Sequence, residues 1–300
     1  MLKQTLLLFI SLLILSACDR NQEKNSTIKT GCPQQIASLS LASDEILLDI
    51  IDDQRIIGIT YLADNKKLSN VYDKTSKVPN KLRPNLEQIL SLNPDIVIVA
   101  DYIDFSFIHQ IEKSGINTHF LRDLNSVDSI RANLNSLGDA VCERGKTDAL
   151  ITDMDKRIEV LTSRKLTNKP KILYLFPSFF TAGNNTTIDD LITTAGGINL
   201  GRSAGIEGNK KISREYILSA NPDIILIGSY SPDEENFIAT LKSDKVLSEL
   251  KSIKNGNVYS IETSHLTTVS HHIVKGMEEL AAIIDNYNIN LDANKTKTPN

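Results

Sequence analysis

The feature that most constrains the fold is a segment that occurs twice. Residues 84–102 read PNLEQILSLNPDIVIVADY and residues 212–230 read ISREYILSANPDIILIGSY. The offset is constant. Glu87 and Glu215 stand 128 positions apart (215 − 87), and so do Tyr102 and Tyr230 (230 − 102). Self-similarity over a full helix–strand unit implies that one structural module is used twice along the chain.

Each copy has a physical reading. Asn85 and Ser213 suit helix N-caps, and Glu87 and Glu215 follow in the first turn, where the helix dipole favours a carboxylate. The Asn-Pro pair then ends the helix, because the residue before proline is disfavoured in the α region. Ile96 to Ala100 and Ile224 to Gly228 are short, β-branched and apolar at nearly every position, which suits strands buried on both faces. Another strand–helix pair precedes each copy. Ile36 to Leu39 leads into a helix from Ser43 to Ile51, and Lys171 to Phe176 into a helix from Thr187 to Ala195. Strands alternating with helices predict an α/β fold with parallel sheets. The chain therefore divides into an N-terminal α/β lobe at 33–125 and a similar C-terminal lobe at 169–285. Residues 126–168 carry no strand signal. Ile130, Leu134, Leu137 and Val141 keep helical spacing there, which predicts a long rigid connecting helix with Gly138 and Gly145 as its weak points. Residues 286–300 read as a polar tail.

The N-terminus fixes the compartment. Lys3, the apolar run Leu6 to Leu15 and the small residues Ser16 and Ala17 read as a signal peptide over 1–17. The run is too short to span a bilayer as a helix. Leu15-Ser16-Ala17-Cys18 resembles a bacterial lipobox, which implies lipidation of Cys18 and attachment to the membrane through that lipid. Residues 18–32 are polar and read as a tether. Cys32 and Cys142 form an even pair. Outside the cytoplasm such a pair suggests a disulfide, with two free thiols as the alternative. A net charge of −4 without a basic patch excludes nucleic acid as a partner.

The ordered set of segments resembles the metal-chelate-binding periplasmic proteins of ABC importers, whose members bind ferric siderophores, haem or cobalamin. IASLSLASDEILLDI with DQRIIGITYLAD is similar to the family's opening, and PNLEQILSLNPDIVIVA to its central motif. ISREYILSANPDIILIG is similar to the second-lobe counterpart, and HHIVKGMEELAAII to the closing helix. The resemblance covers nearly the whole chain after the signal. It implies two lobes joined by one rigid helix, a ligand cleft between them and no catalytic residues. It also implies a monomer that meets a permease dimer with its ATPase. By the same resemblance Glu87 and Glu215 are the carboxylates that dock onto transporter arginines.

Ligands of open α/β sheets lie beyond the carboxyl ends of the strands. Tyr61, Tyr102 and Tyr230 fall there, and each offers a flat face to a chelate ring. Arg83 suits an anionic chelate. His265 falls where the family contacts ligand. His271 and His272 open the closing helix, with Ser270 as its cap. His109 and His119 read as structural, and Asp52-Asp53 and Asp189-Asp190 as solvated pairs. Haem-binding relatives place a tyrosine near Asn80, where this chain reads Val78-Pro79-Asn80, and corrinoid binders use tryptophan, of which this chain has none. The reading is thus a transported metal chelate, a ferric siderophore before a corrinoid. An enzyme is disfavoured because no nucleophile elbow, phosphate loop or paired-cysteine metal motif occurs. A carrier of free metal ions needs His and carboxylate ligands from both lobes, and His109 and His119 are poorly placed for that.

Overall fold

A computed structural model describes residues 31–51, 53–227 and 234–297. Cys18 and Tyr230 lie outside the described residues, as do the signal and most of the tether. The first lobe is a five-stranded sheet of β1 (Ile36–Ser38), β2 (Ile56–Thr60), β3 (Lys81–Leu82), β4 (Ile96–Ala100) and β5 (Asn117–Leu121), in the order β3-β2-β1-β4-β5. Every pairing in it is parallel. Helices α1 (Leu41–Ile50), α2 (Leu86–Ser91) and α3 (Phe105–Lys113) connect the strands. Next come α4 (Val127–Ala140) and α5 (Arg144–Thr162).

The second lobe contains β6 (Lys171–Leu175), β7 (Phe180–Ala182), β8 (Ile198–Asn199), β9 (Asn209–Lys211), β10 (Ile224–Ile227) and β11 (Val258–Ser260). Four of them form a parallel sheet in the order β11-β10-β6-β8, while β7 and β9 pair antiparallel beside it. Its helices are α6 (Thr187–Thr194), α7 (Leu200–Ser203), α8 (Arg214–Ala220), α9 (Glu234–Ser243), α10 (Lys251–Lys254), α11 (Thr263–Leu266) and α12 (Ile273–Lys297). In both lobes the strand that closes the repeat pairs with the strand that opens the lobe, β4 with β1 and β10 with β6.

The repeated Asn-Pro-Asp explains that equivalence. Asn93 and Asn221 take left-handed backbone, with φ of 49° and 42°, and terminate α2 and α8. Asparagine reaches that region at lower cost than most residues. The aspartates then fasten the neighbouring strand. Asp95 accepts hydrogen bonds from the backbone of Gln34 and Gln35 and returns its own N–H to the Gln35 carbonyl. Asp223 accepts from the Lys171 N–H and donates to the Lys171 carbonyl. One short motif thus ends a helix and fixes the parallel register of the next strand pair.

The buried apolar residues explain why the strands show no alternation. Val97 and Val99 pack on one face of the first sheet with Ile108 and Ile111, while Ile98 packs on the other face. The second sheet is covered in the same way, with Leu173 and Ile225 on one side and Ile172 and Ile224 on the other. The inner cluster runs from Ile36 and Ile46 in the first lobe through Leu134 and Met154 to Leu191, Met277 and Ile284 in the second.

Two expectations are corrected. Residues 126–168 are not one connecting helix but two. The break lies at Val141–Glu143, where Cys142 has a φ of 60°. A β-carbon on Gly138 would meet Thr147 Oγ1 at 2.2 Å, so the chain folds back closely there. A disulfide joins Cys142 to Cys32 across 110 residues. Arg55 holds the same corner, binding Glu143 Oε1 and the Val141 carbonyl, both at 2.6 Å. Residues 286–297 are not a loose tail either, because α12 continues to Lys297. Tyr287 donates to Asp223 at 3.1 Å and Asn288 to the Asn168 carbonyl at 3.0 Å, so polar residues anchor this helix where apolar periodicity ends. No helix among the described residues is long and apolar enough to cross a membrane.

Candidate functional site

The first-lobe side of the site is built at the ends of β2, β3 and β4. Thr60 ends β2 and Tyr61 follows in a short turn. Asp44 of α1 is fully buried beneath that corner and accepts from the Thr60 N–H at 3.1 Å and the Thr60 hydroxyl at 2.5 Å. Burial raises the pKa of Asp44 to about 7, although hydrogen bonds from Ser38 and Thr60 oppose the shift. Arg83 lies just past β3, the parallel neighbour of β2, and its guanidinium sits 3.6 Å from the centre of the Tyr61 ring. The structure thus brings together two of the expected cleft residues in a cation–π pair. Tyr102 follows β4 and is 64% exposed, and Phe105 at the start of α3 is 75% exposed and stacks on His109.

On the second lobe the corner between β6 and β7 forms the pocket. Phe176 donates its N–H to the Phe180 carbonyl at 2.8 Å, and the Thr181 hydroxyl donates to the Tyr174 carbonyl at 2.7 Å. Between them Ser178 and Phe179 both have left-handed φ, 67° and 61°, an arrangement that costs about 1–3 kcal/mol per residue and must be held by its surroundings. Arg214 lies 4.8 Å over the Phe179 ring and Phe237 packs edge-on against it. The result is a largely apolar pocket of about 380 Å³ lined by Tyr174, Phe176, Phe180, Thr181, Asn209 and Thr267. Lys211 extends over the outer ring, 5.7 Å from the centre of Phe180. Sequence reasoning marked Phe176 as a strand end but missed Phe180. The run Phe176-Pro177-Ser178-Phe179-Phe180 was the available signal.

Other expected residues stand apart from this pocket. His265 is in α11, but its Nδ1 pairs with Glu279 on α12, while Thr267, two residues later, reaches the pocket. Glu87 and Glu215 are exposed in the first turns of α2 and α8, behind the N-caps Asn85 and Ser213. The Glu215 N–H and the Ser213 hydroxyl hold the Glu215 carboxyl below its ordinary range. Asp189, expected to be solvated, is buried and accepts from Asn199 and Arg202. Asn80 donates its side-chain amide to the Ile57 carbonyl at 2.7 Å.

A polar strap between the lobes was not foreseen. Glu45 of α1, 1% exposed, accepts from the Thr268 and Ser270 hydroxyls of the second lobe and from Asn70 of its own. Asn70 also donates to the Ser264 carbonyl at 2.6 Å. Further along α1, Asp49 meets His271 and His272. Burial opposes the Asp49 charge, but hydrogen bonds from His271, His272 and Lys74 outweigh it and hold the carboxyl well below the usual range.

Comparison with known proteins places this architecture. The sequence over residues 36–264 matches the family described as periplasmic binding protein. The chain belongs to that family. Among its curated relatives is a cobalamin-binding protein of Halobacterium salinarum, 23% identical over 86% of this chain and 71% of that protein. The uncharacterized ABC transporter substrate-binding lipoprotein YvrC of Bacillus subtilis is 24% identical over 89% of this chain and 84% of its own length. Among solved structures, the apo periplasmic heme-binding protein RhuT from Roseiflexus sp. RS-1 superposes with a TM-score of 0.74. It is 23% identical and covers 85% of this chain and 99% of its own, a likeness that establishes the fold.

Proposed function

We propose that this periplasmic binding protein is the extracytoplasmic solute-binding component of an ABC importer, that it captures a bulky anionic metal chelate of the ferric-siderophore class, and that it passes the chelate to a permease dimer driven by its ATPase. The observation that carries the reading is the pairing of cations with aromatic faces at the strand ends of both lobes. Arg83 lies over Tyr61 and Lys211 over Phe180, while Arg214, over Phe179, already pairs with Asp244 at 2.7 Å and lends its ring contact rather than free charge. Aromatic faces bury a large planar or globular chelate, and guanidinium and ammonium groups beside them favour a ligand with surplus negative charge. Lipidation at Cys18 would hold the protein at the membrane, where the permease is. Glu87 and Glu215 would be its docking carboxylates.

A corrinoid is the second reading, favoured by the relative named for cobalamin binding. Haem is disfavoured because Asn80, where a ligating tyrosine would be expected, commits its amide to the Ile57 carbonyl. The test is a titration of the purified chain, followed by quenching of its tyrosine fluorescence, since it has eight Tyr and no Trp. Anionic ferric siderophores are expected to bind one to one, with Arg83→Ala and Lys211→Ala each weakening them by about tenfold, the effect of one lost charge-assisted contact of roughly 1.5 kcal/mol. Tighter binding of cobalamin would move the assignment to corrinoids. Binding of free ferric ion alone would remove the chelate reading.

A further inference from the structure

Asp49, His271 and His272 form a cluster that the proposed ligand site does not use. Asp49 is near the C-terminal end of α1, whose N-terminus follows the strand end of β1. Eight residues of helix put Asp49 about 12 Å along α1 from that end. The two histidines come from the second lobe, on the segment that leads into α12. Asp49 Oδ2 is 2.8 Å from His271 Nε2 and 3.2 Å from His272 Nε2. One ligand atom from each of the three residues falls within 4.8 Å of the other two. The two rings lie 4.1 Å apart between centres with their planes tilted by 36°.

Two further details bear on a ligand. His272 Nε2 is buried and faces Asp49 Oδ2 at 3.2 Å, the same carboxylate oxygen that His271 Nε2 meets at 2.8 Å, so both ring nitrogens converge on one atom. Lys74 binds the other carboxylate oxygen of Asp49, leaving Oδ2 directed to the histidines. Donor atoms of a tetrahedral zinc site, each about 2.0–2.2 Å from the ion, stand roughly 3.3–3.5 Å from one another. The two measured Asp–His separations, 2.8 and 3.2 Å, need only small adjustments to meet that geometry. Two imidazoles and one carboxylate are borderline donors, suited to zinc and its neighbours rather than to calcium or magnesium.

We propose that Asp49, His271 and His272 bind a divalent transition-metal ion of the zinc class as a clip between the lobes, separate from the transported chelate. The ion would replace the direct Asp–His contacts with coordinate bonds and tie α1 of the first lobe to the start of α12. Its fourth position would be taken by water. Glu45, Lys74 and Lys275 are the other charged groups around the cluster, two cations and one anion. Their balance with Asp49 is neutral before the ion binds, so the ion must be held by its donors rather than by surplus charge.

The test uses the untagged chain with no chelate present, so failure of the siderophore reading leaves it intact. Zinc is titrated by calorimetry and cobalt by its visible absorption. One equivalent of zinc is expected, with a rise in thermal midpoint and a tetrahedral cobalt spectrum. Asp49→Asn and His272→Ala should each weaken zinc on the order of 100-fold, as losing a ligand costs at least as much as losing an outer partner. His109→Ala, on the exposed face of α3, should change nothing. Should His272→Ala fail to fold, His272→Gln keeps a polar side chain and should show the same loss. No zinc uptake, or uptake unchanged in the Asp49 and His272 variants, would overturn the proposal and leave a purely hydrogen-bonded strap.

Discussion

Asp44 holds the strand end that presents Tyr61, because its buried carboxylate accepts both the N–H and the hydroxyl of Thr60. A buried acid in that place makes the β2 corner that carries Tyr61 sensitive to pH. The chain thus carries a titratable group under the proposed binding surface, and its protonation changes the donors available to the β2 corner.

The sign follows from the shift. In the unfolded chain an aspartate titrates near 4, whereas in the fold burial moves Asp44 to about 7. Between those values the folded protein holds one more proton than the unfolded chain. Stability should therefore be greatest at the acid end of this window, fall as pH rises through it, and level off above about 7. The loss is at most about 4 kcal/mol, three units at 1.4 kcal/mol each. Asp49, whose folded pKa is depressed, gives the opposite slope only below about pH 4, where unfolded aspartates titrate. Urea unfolding at several pH values will show this fall in the wild type. Asp44→Asn, which keeps the shape and an acceptor oxygen, should flatten it. Equal slopes in the two proteins would mean that Asp44 stays ionised in the fold.

The legible and illegible parts of this chain differ in kind. The repeat exposed the two parallel lobes, because buried strands of Ile and Val and capped helices are local signals. Tyr61 was marked by counting strand ends and Arg83 by its charge, while their contact with each other belongs to the parallel pairing of β2 with β3 and had no local signal. The fold-back at Cys142 was legible only as two weak points, Gly138 and Gly145, that flank it. Apolar spacing continues on both sides of it, and nothing in sequence marks a cysteine with positive φ. Phe180 was missed because its role depends on the antiparallel pairing of β7 with β9, which joins residues 180–182 to 209–211. Glu45 and Asp49 were hidden more deeply. They sit on α1, and the residues that explain them, Thr268 to His272, lie more than 200 positions away in the chain, as the separations of 222 to 225 residues show.

The disulfide should be a major source of stability. It ties Cys32, ahead of β1, to the turn between α4 and α5, across a separation of 110 residues. Closing a loop of about 100 residues stabilises by roughly 4–5 kcal/mol in the chain-entropy model. Arg55 already holds Glu143 and the Val141 carbonyl at that turn, so the reduced protein should keep its fold but unfold at lower denaturant. Guanidinium melts of the oxidised chain and of the Cys32→Ser, Cys142→Ser double variant give the difference directly. A difference below about 1 kcal/mol would show that the unfolded chain gains little freedom when the bridge is lost.

The last prediction concerns Glu87 and Glu215. They occupy equivalent first turns in the two repeats, each behind a capped N-terminus, and both are exposed. Two like carboxylates related by an internal repeat suit a partner that is itself two-fold, as a permease dimer is. Neither residue is among those that line the aromatic pocket of the second lobe. Substituting both by Ala should therefore leave chelate affinity within about twofold and the fold unchanged, since surface substitutions stay within about 0.5 kcal/mol. Delivery should suffer instead. Losing one partner of a charge pair that becomes buried on docking costs about 2–5 kcal/mol, so ligand-stimulated ATPase of the reconstituted transporter should fall by tenfold or more. Each single variant should show an intermediate defect if, as proposed, each lobe meets one half of the permease. Full ATPase stimulation by the double variant would remove these residues from the docking surface, and loss of chelate binding would place them in the ligand site instead.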